Sequence, residues 1–112
     1  MYSFIKSSAQ LRHASCIAAA AALRKEPPYD LIFVDGDHNR IARDLPWFNR
    51  LQVGGLFLCH DYSPEGSRAP SPIVYAELNR MAQKLKRPFD VYLVDEGKVG
   101  MVGFYRQHGE TI

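Results

Sequence analysis

Two runs of four apolar residues constrain this chain most: Leu31-Ile32-Phe33-Val34 and Leu56-Phe57-Leu58-Cys59, neither interrupted by a polar residue. A strand with one wet face alternates apolar and polar residues. An unbroken run predicts a strand covered on both faces, as in a parallel sheet. Both runs end in polar residues: Asp35-Gly36-Asp37-His38 follows the first and His60-Asp61 the second. Gly54-Gly55 predicts a turn into the second strand.

The flanking segments supply the rest of a layered fold. Residues 2–6 predict a short strand. Ser7-Ser8-Ala9-Gln10 has the pattern of a capping box opening an Ala-rich helix that runs to about Arg24 and stops at Pro27-Pro28. Ile41, Leu45 and Phe48 recur at helical spacing, so a helix is expected over residues 39–51, kinked or split by Pro46. Ser71 and Pro72 read as the cap and first residue of another helix. Its apolar stripe is Val74, Leu78, Met81 and Leu85, and Pro88 ends it. Residues 89–94 and 99–105 predict two strands joined by a tight turn at Glu96-Gly97-Lys98. This order argues for one α/β domain over residues 1–112, mainly parallel, with a C-terminal antiparallel hairpin. His13 and Cys16 read as ordinary helix residues, and Trp47 and Phe48 as packing residues. The tail from Arg106 is expected to fray.

Composition narrows the partners. Fourteen basic against twelve acidic residues leave a formal charge of +2, spread evenly, which argues against a nucleic-acid or anionic-membrane partner. Cys16 and Cys59 match no disulfide or metal spacing, so a reducing, cytoplasmic setting is expected. The apolar run over residues 17–23 is too short to span a bilayer.

Chemistry is expected at the strand ends, because ligands of open parallel sheets bind beyond the carboxyl ends of the strands. If the two apolar strands are neighbours, Asp35, Asp37, His38, His60 and Asp61 converge on one crevice. Carboxylates and an imidazole open to water suit Mg²⁺, with Mn²⁺ or Fe²⁺ nearly as suitable beside a histidine. His38 or Asp37 is then free to act as a general base. A plainer alternative stays open: Asp37 or Asn39 could simply cap the helix that follows.

At these residues the sequence resembles class I S-adenosylmethionine-dependent methyltransferases, in particular the small-molecule enzymes of the family 24 type. The matching pieces are residues 29–38, ending Val34-Asp35-Gly36-Asp37-His38, and residues 53–62, running Gly54-Gly55 to Cys59-His60-Asp61-Tyr62. The resemblance implies a partial Rossmann-like sheet, drawn from a family order 3-2-1-4-5-7-6. It implies a divalent cation such as Mg²⁺ held by Asp35, His60 and Asp61. His38 and Asp37 would be catalytic, and Asp35 and Gly36 would lie on the cofactor side. The acceptor would be a small molecule whose hydroxyl the cation acidifies. The family's Gly-rich cofactor loop and ribose-binding acid have no counterpart, and no G-x-G occurs in the first half of the chain. The chain is therefore expected to be the C-terminal part of such a fold, incomplete or inactive alone.

Losing the family's first strands would bare one edge of the strand over residues 31–34. Either residues 2–6 cover that edge or two chains join there as a homo-oligomer. Two other functions compete. One is a non-catalytic remnant that assembles through an exposed sheet edge. The other, ranked lowest, is a metal-dependent phosphoesterase, whose two-metal site needs more ligands than these.

Overall fold

The structure, a computed structural model, describes residues 2–6, 11–14, 28–35, 38–64, 72–95 and 97–112, the first two stretches as backbone alone. Its frame is a sheet of six strands: β1 (Tyr2–Lys6), β2 (Leu11–Ala14), β3 (Tyr29–Val34), β4 (Leu51–Tyr62), β5 (Val91–Leu93) and β6 (Gly100–Tyr105). They lie in the order β2-β1-β3-β4-β6-β5. The two apolar runs are indeed adjacent and parallel, with Leu31 opposite Leu56 and Val34 opposite Cys59.

The sheet is otherwise antiparallel, which corrects the expectation of a mainly parallel one. β1 pairs antiparallel with both β2 and β3, and β6 with both β4 and β5. Connection length explains this. Only residues 7–10 join β1 to β2, and only 94–99 join β5 to β6. Parallel neighbours need a crossover of a dozen residues or more, whereas short links make hairpins. The edge of β3, offered above as a joining surface for two chains, is closed by β1 of the same chain.

The helix expected from Ser7 to about Arg24 is also corrected in part. Residues 11–14 form β2, where a backbone ladder with β1 outweighs local helix propensity. The capping box and residues 15–24 lie outside the described residues. The helix expected over 39–51 is two 3-10 helices, His38–Arg43 and Leu45–Arg50, broken at Asp44. Pro46 stands in the first turn of the second, where its missing N–H costs nothing.

Helix α1 (Pro72–Leu85) buries Val74, Leu78 and Met81, as its stripe predicts, with Leu85 partly buried. α1 and the 3-10 helices pack together on one face of the sheet. There Ile41, Leu45, Trp47 and Phe48 meet Ile32, Val34, Phe57, Cys59, Val102 and Phe104 in one core. Phe48 stands edge-on to Phe57 with ring centroids 6.0 Å apart. Burying each such side chain stabilises by roughly 1.5–3 kcal/mol. Burial along β3 alternates: Ile32 and Val34 are buried, Leu31 and Phe33 half-buried. The two faces are thus covered unequally.

Two local expectations fail for instructive reasons. Gly54-Gly55 does not turn the chain; it bulges β4. Between Tyr29↔Leu51 and Leu31↔Leu56 the register gains residues on β4, and Gly54 takes φ +86. A Cβ on Gly55 would lie 3.0 Å from the Tyr29 carbonyl oxygen, so a side chain there would crowd the bulge. The tail is not frayed either. Arg106 donates to the carbonyl oxygens of Asn49 and Leu51, and the Asn49 side chain both donates to and accepts from the Ile112 backbone.

Candidate metal centre

Asp35 follows β3, while His60 and Asp61 lie near the end of β4, so the parallel pairing alone sets them side by side. A strand would still point His60 and Asp61 to opposite faces. A bulge prevents that. β4 and β6 keep register at Cys59↔Val102 and again at Tyr62↔Gly100, leaving one extra residue on β4. Asp61 absorbs it with φ +65, a left-handed conformation that Asp tolerates better than most residues. A bulge of this kind re-aims side chains.

Here it aims both at one point. His60 Nδ1 lies 2.7 Å from Asp61 Oδ1 and 3.9 Å from Asp35 Oδ1. On the other side, His38 Nε2 lies 2.7 Å from Asp61 Oδ2. The Asp61 carboxylate is therefore held between two imidazoles. An ionised carboxylate only accepts, so the hydrogen bond places a proton on His38 Nε2, and the Asp61 charge 2.7 Å away favours one on His60 Nδ1. In neutral rings this leaves His38 Nδ1 and His60 Nε2 as lone-pair sites. The Phe33 ring stacks on His60, centroids 6.5 Å apart and planes 26° from parallel, and restrains it.

Donor atoms of Asp35, His60 and Asp61 all lie within 4.8 Å of one another. Ligand atoms of one small dication stand roughly 3–4 Å apart, so holding an ion here needs side-chain adjustments of up to about an ångström. The side chains keep partial access to water: 55% for Asp35, 39% for His60, 31% for His38 and 20% for Asp61. Of the residues expected from sequence, these four come together. Gly36 and Asp37 lie outside the described residues.

Two neighbours are not reactive groups. Burial pushes the Cys59 thiol well above its ordinary pKa, and the Asp44 carboxylate adds to the effect, so Cys59 is a core residue. Burial likewise raises the Tyr62 hydroxyl, although a hydrogen bond from Asn79 Nδ2 at 2.9 Å works against it. Sequence reasoning missed Phe33 as a ring support and the bulge at Asp61. The alternating side-chain direction along residues 31–35 could have indicated the first. It also missed a cavity of about 240 Å³ between α1 and the 3-10 helices, lined by Ala42, Leu45, Pro46, Met81, Arg80 and Lys84 among others. That cavity shares no residue with the Asp/His cluster. Among the described residues, no helix is long and apolar enough to cross a membrane. Comparison of the chain with protein-family models, with curated proteins and with solved structures finds no match.

Proposed function

We propose that this chain is the cation and acceptor side of a methyltransferase-type domain acting on a hydroxylated small molecule. Asp35, His60 and Asp61 would hold a divalent cation, whose chemistry is to draw in and acidify an acceptor hydroxyl. Asp61 orients His38 through Nε2, leaving Nδ1 to accept the hydroxyl proton. The observation that carries this reading is the placement of the Asp/His cluster at the ends of two parallel strands within a particular strand order. β3-β4-β6-β5, with β6 reversed, reproduces the 4-5-7-6 run of the sheet described above.

S-adenosylmethionine does not fit the residues present. The Gly-rich loop and ribose-binding acid are missing from this chain, and β1 lies along the flank of β3 where the family's sheet would continue. That same position of β1 favours a second reading, a non-catalytic module that retains the cation site.

Calorimetry of the cation-loaded chain with catechol, a small probe for a hydroxylated acceptor, separates the two. Binding that needs the cation and is lost in Asp61→Asn supports the acceptor-side reading. No binding with the cation present overturns it in favour of the non-catalytic module.

A further inference from the structure

We propose, resting on the cation reading above, that the Asp35–His60–Asp61 site selects a nitrogen-preferring transition-metal dication such as Zn²⁺ over Mg²⁺. It is the ring nitrogen Nδ1 of His60 that points at both carboxylates, 2.7 Å from Asp61 Oδ1 and 3.9 Å from Asp35 Oδ1. Mg²⁺ prefers oxygen ligands and retains its water, whereas an imidazole nitrogen suits Zn²⁺ and its first-row neighbours. To Mg²⁺ the described residues of the site offer two carboxylates, that of Asp35 largely exposed.

The surroundings sharpen this. Phe33 stacks on the His60 ring and limits its rotation out of the donor set. His38 Nε2 holds Asp61 Oδ2, which leaves Oδ1 as the ligand oxygen and makes His38 an outer partner that orients it. Three protein ligands would leave coordination positions open to an acceptor or water.

Ligation also has a definite proton balance. Without the cation, His60 Nδ1 stands 2.7 Å from the Asp61 carboxylate, whose charge favours a ring proton over a lone pair on that nitrogen. A cation at Nδ1 needs that lone pair, so the proton leaves Nδ1 and Nε2 gains one from water. A neutral His60 stays neutral, and no net proton is released.

The test titrates the full chain with Zn²⁺ and with Mg²⁺, by calorimetry and by ¹⁵N NMR of the imidazole rings. Zn²⁺ is expected to bind about 100-fold more tightly than Mg²⁺. His60 should change from the Nδ1–H to the Nε2–H pattern as Zn²⁺ is added. His60→Asn should abolish the preference while leaving weak Mg²⁺ binding in place. Equal affinity for the two ions, or a His60 ring unchanged by bound Zn²⁺, overturns the selectivity but leaves an all-oxygen cation site standing. Binding of neither ion overturns the selectivity and the cation reading together. The NMR arm uses the unmodified chain, so a poorly folding variant does not blunt the test.

Discussion

Two clusters of charged side chains flank the ends of β4, and they differ in whether their bonding capacity is used up. At the start of β4, Arg87 donates to both carboxylate oxygens of Glu110, at 2.9 and 2.8 Å, and also to Asp90 and to the Tyr105 carbonyl oxygen. Its guanidinium lies over the Phe104 ring, 5.1 Å from the centroid. Arg87 and Glu110 are each only 14% exposed. At the other end, Asp61 is hydrogen-bonded to one nitrogen of His38 and lies 2.7 Å from one of His60. The second nitrogen of each ring has no partner among the described residues. A saturated, enclosed cluster stabilises a fold and has little left for a ligand. One with spare lone pairs and access to water can bind.

The sharpest way to break this comparison is Arg87→Met. Removing the cation strands two carboxylates in a largely enclosed place, so a loss of about 3 kcal/mol is expected in urea unfolding. Cation affinity at the Asp/His cluster should not change. A drop in that affinity would mean that the two ends of β4 are coupled and do not divide the work of stability and binding.

Glu110→Gln should cost less, about 2 kcal/mol near neutral pH, since a charged hydrogen bond becomes a neutral one. It also carries a pH signature. The hydrogen bond from Arg87 holds the Glu110 carboxyl below its ordinary 4.5, opposed by partial burial and aided by the Gln107 backbone N–H. Arg87 itself is held charged more firmly than usual, mainly by Glu110. A depressed acid stabilises the fold fully above its unfolded pKa, and that contribution disappears as pH falls through the lowered value. Urea midpoints followed downward from neutral pH should therefore fall further in the native chain than in Glu110→Gln. Parallel curves would show that the clamp contributes nothing through this ionisation.

Local pattern carried some of this molecule and could not carry the rest. Helix α1 was readable because Val74, Leu78 and Met81 share one face and Pro72 opens it, which are short-range signals. The two apolar runs marked β3 and β4 as strands of a parallel sheet, and their adjacency, a condition in the sequence, is met in the fold. The four clustered site residues were readable for the same reason. What escaped depends on distant partners. Nothing near Glu110 indicates that it meets Arg87, so the tail looked loose. Leu11–Ala14 is a strand only because β1 lies beside it. The bulge that turns Asp61 toward His60 is set by the register against β6, and no residue within β4 announces it.

Asp61→Asn tests the binding end and should have the smallest effect on stability, under about 1 kcal/mol, as expected of a partly exposed side chain. Asn also tolerates positive φ, so the φ of +65 at this position adds no penalty. Its amide keeps one oxygen for one imidazole and turns an NH₂ toward the other, whose ring answers by changing tautomer. Cation binding, by contrast, should be lost, since the amide brings no charge. Asp61→Val is the control: a β-branched residue in this conformation adds about 1–2 kcal/mol of backbone strain. If Asp61→Asn destabilises as much as Arg87→Met, then Asp61 is a structural clamp like the one at the other end of β4. The two imidazoles would then be its fasteners rather than half of a site.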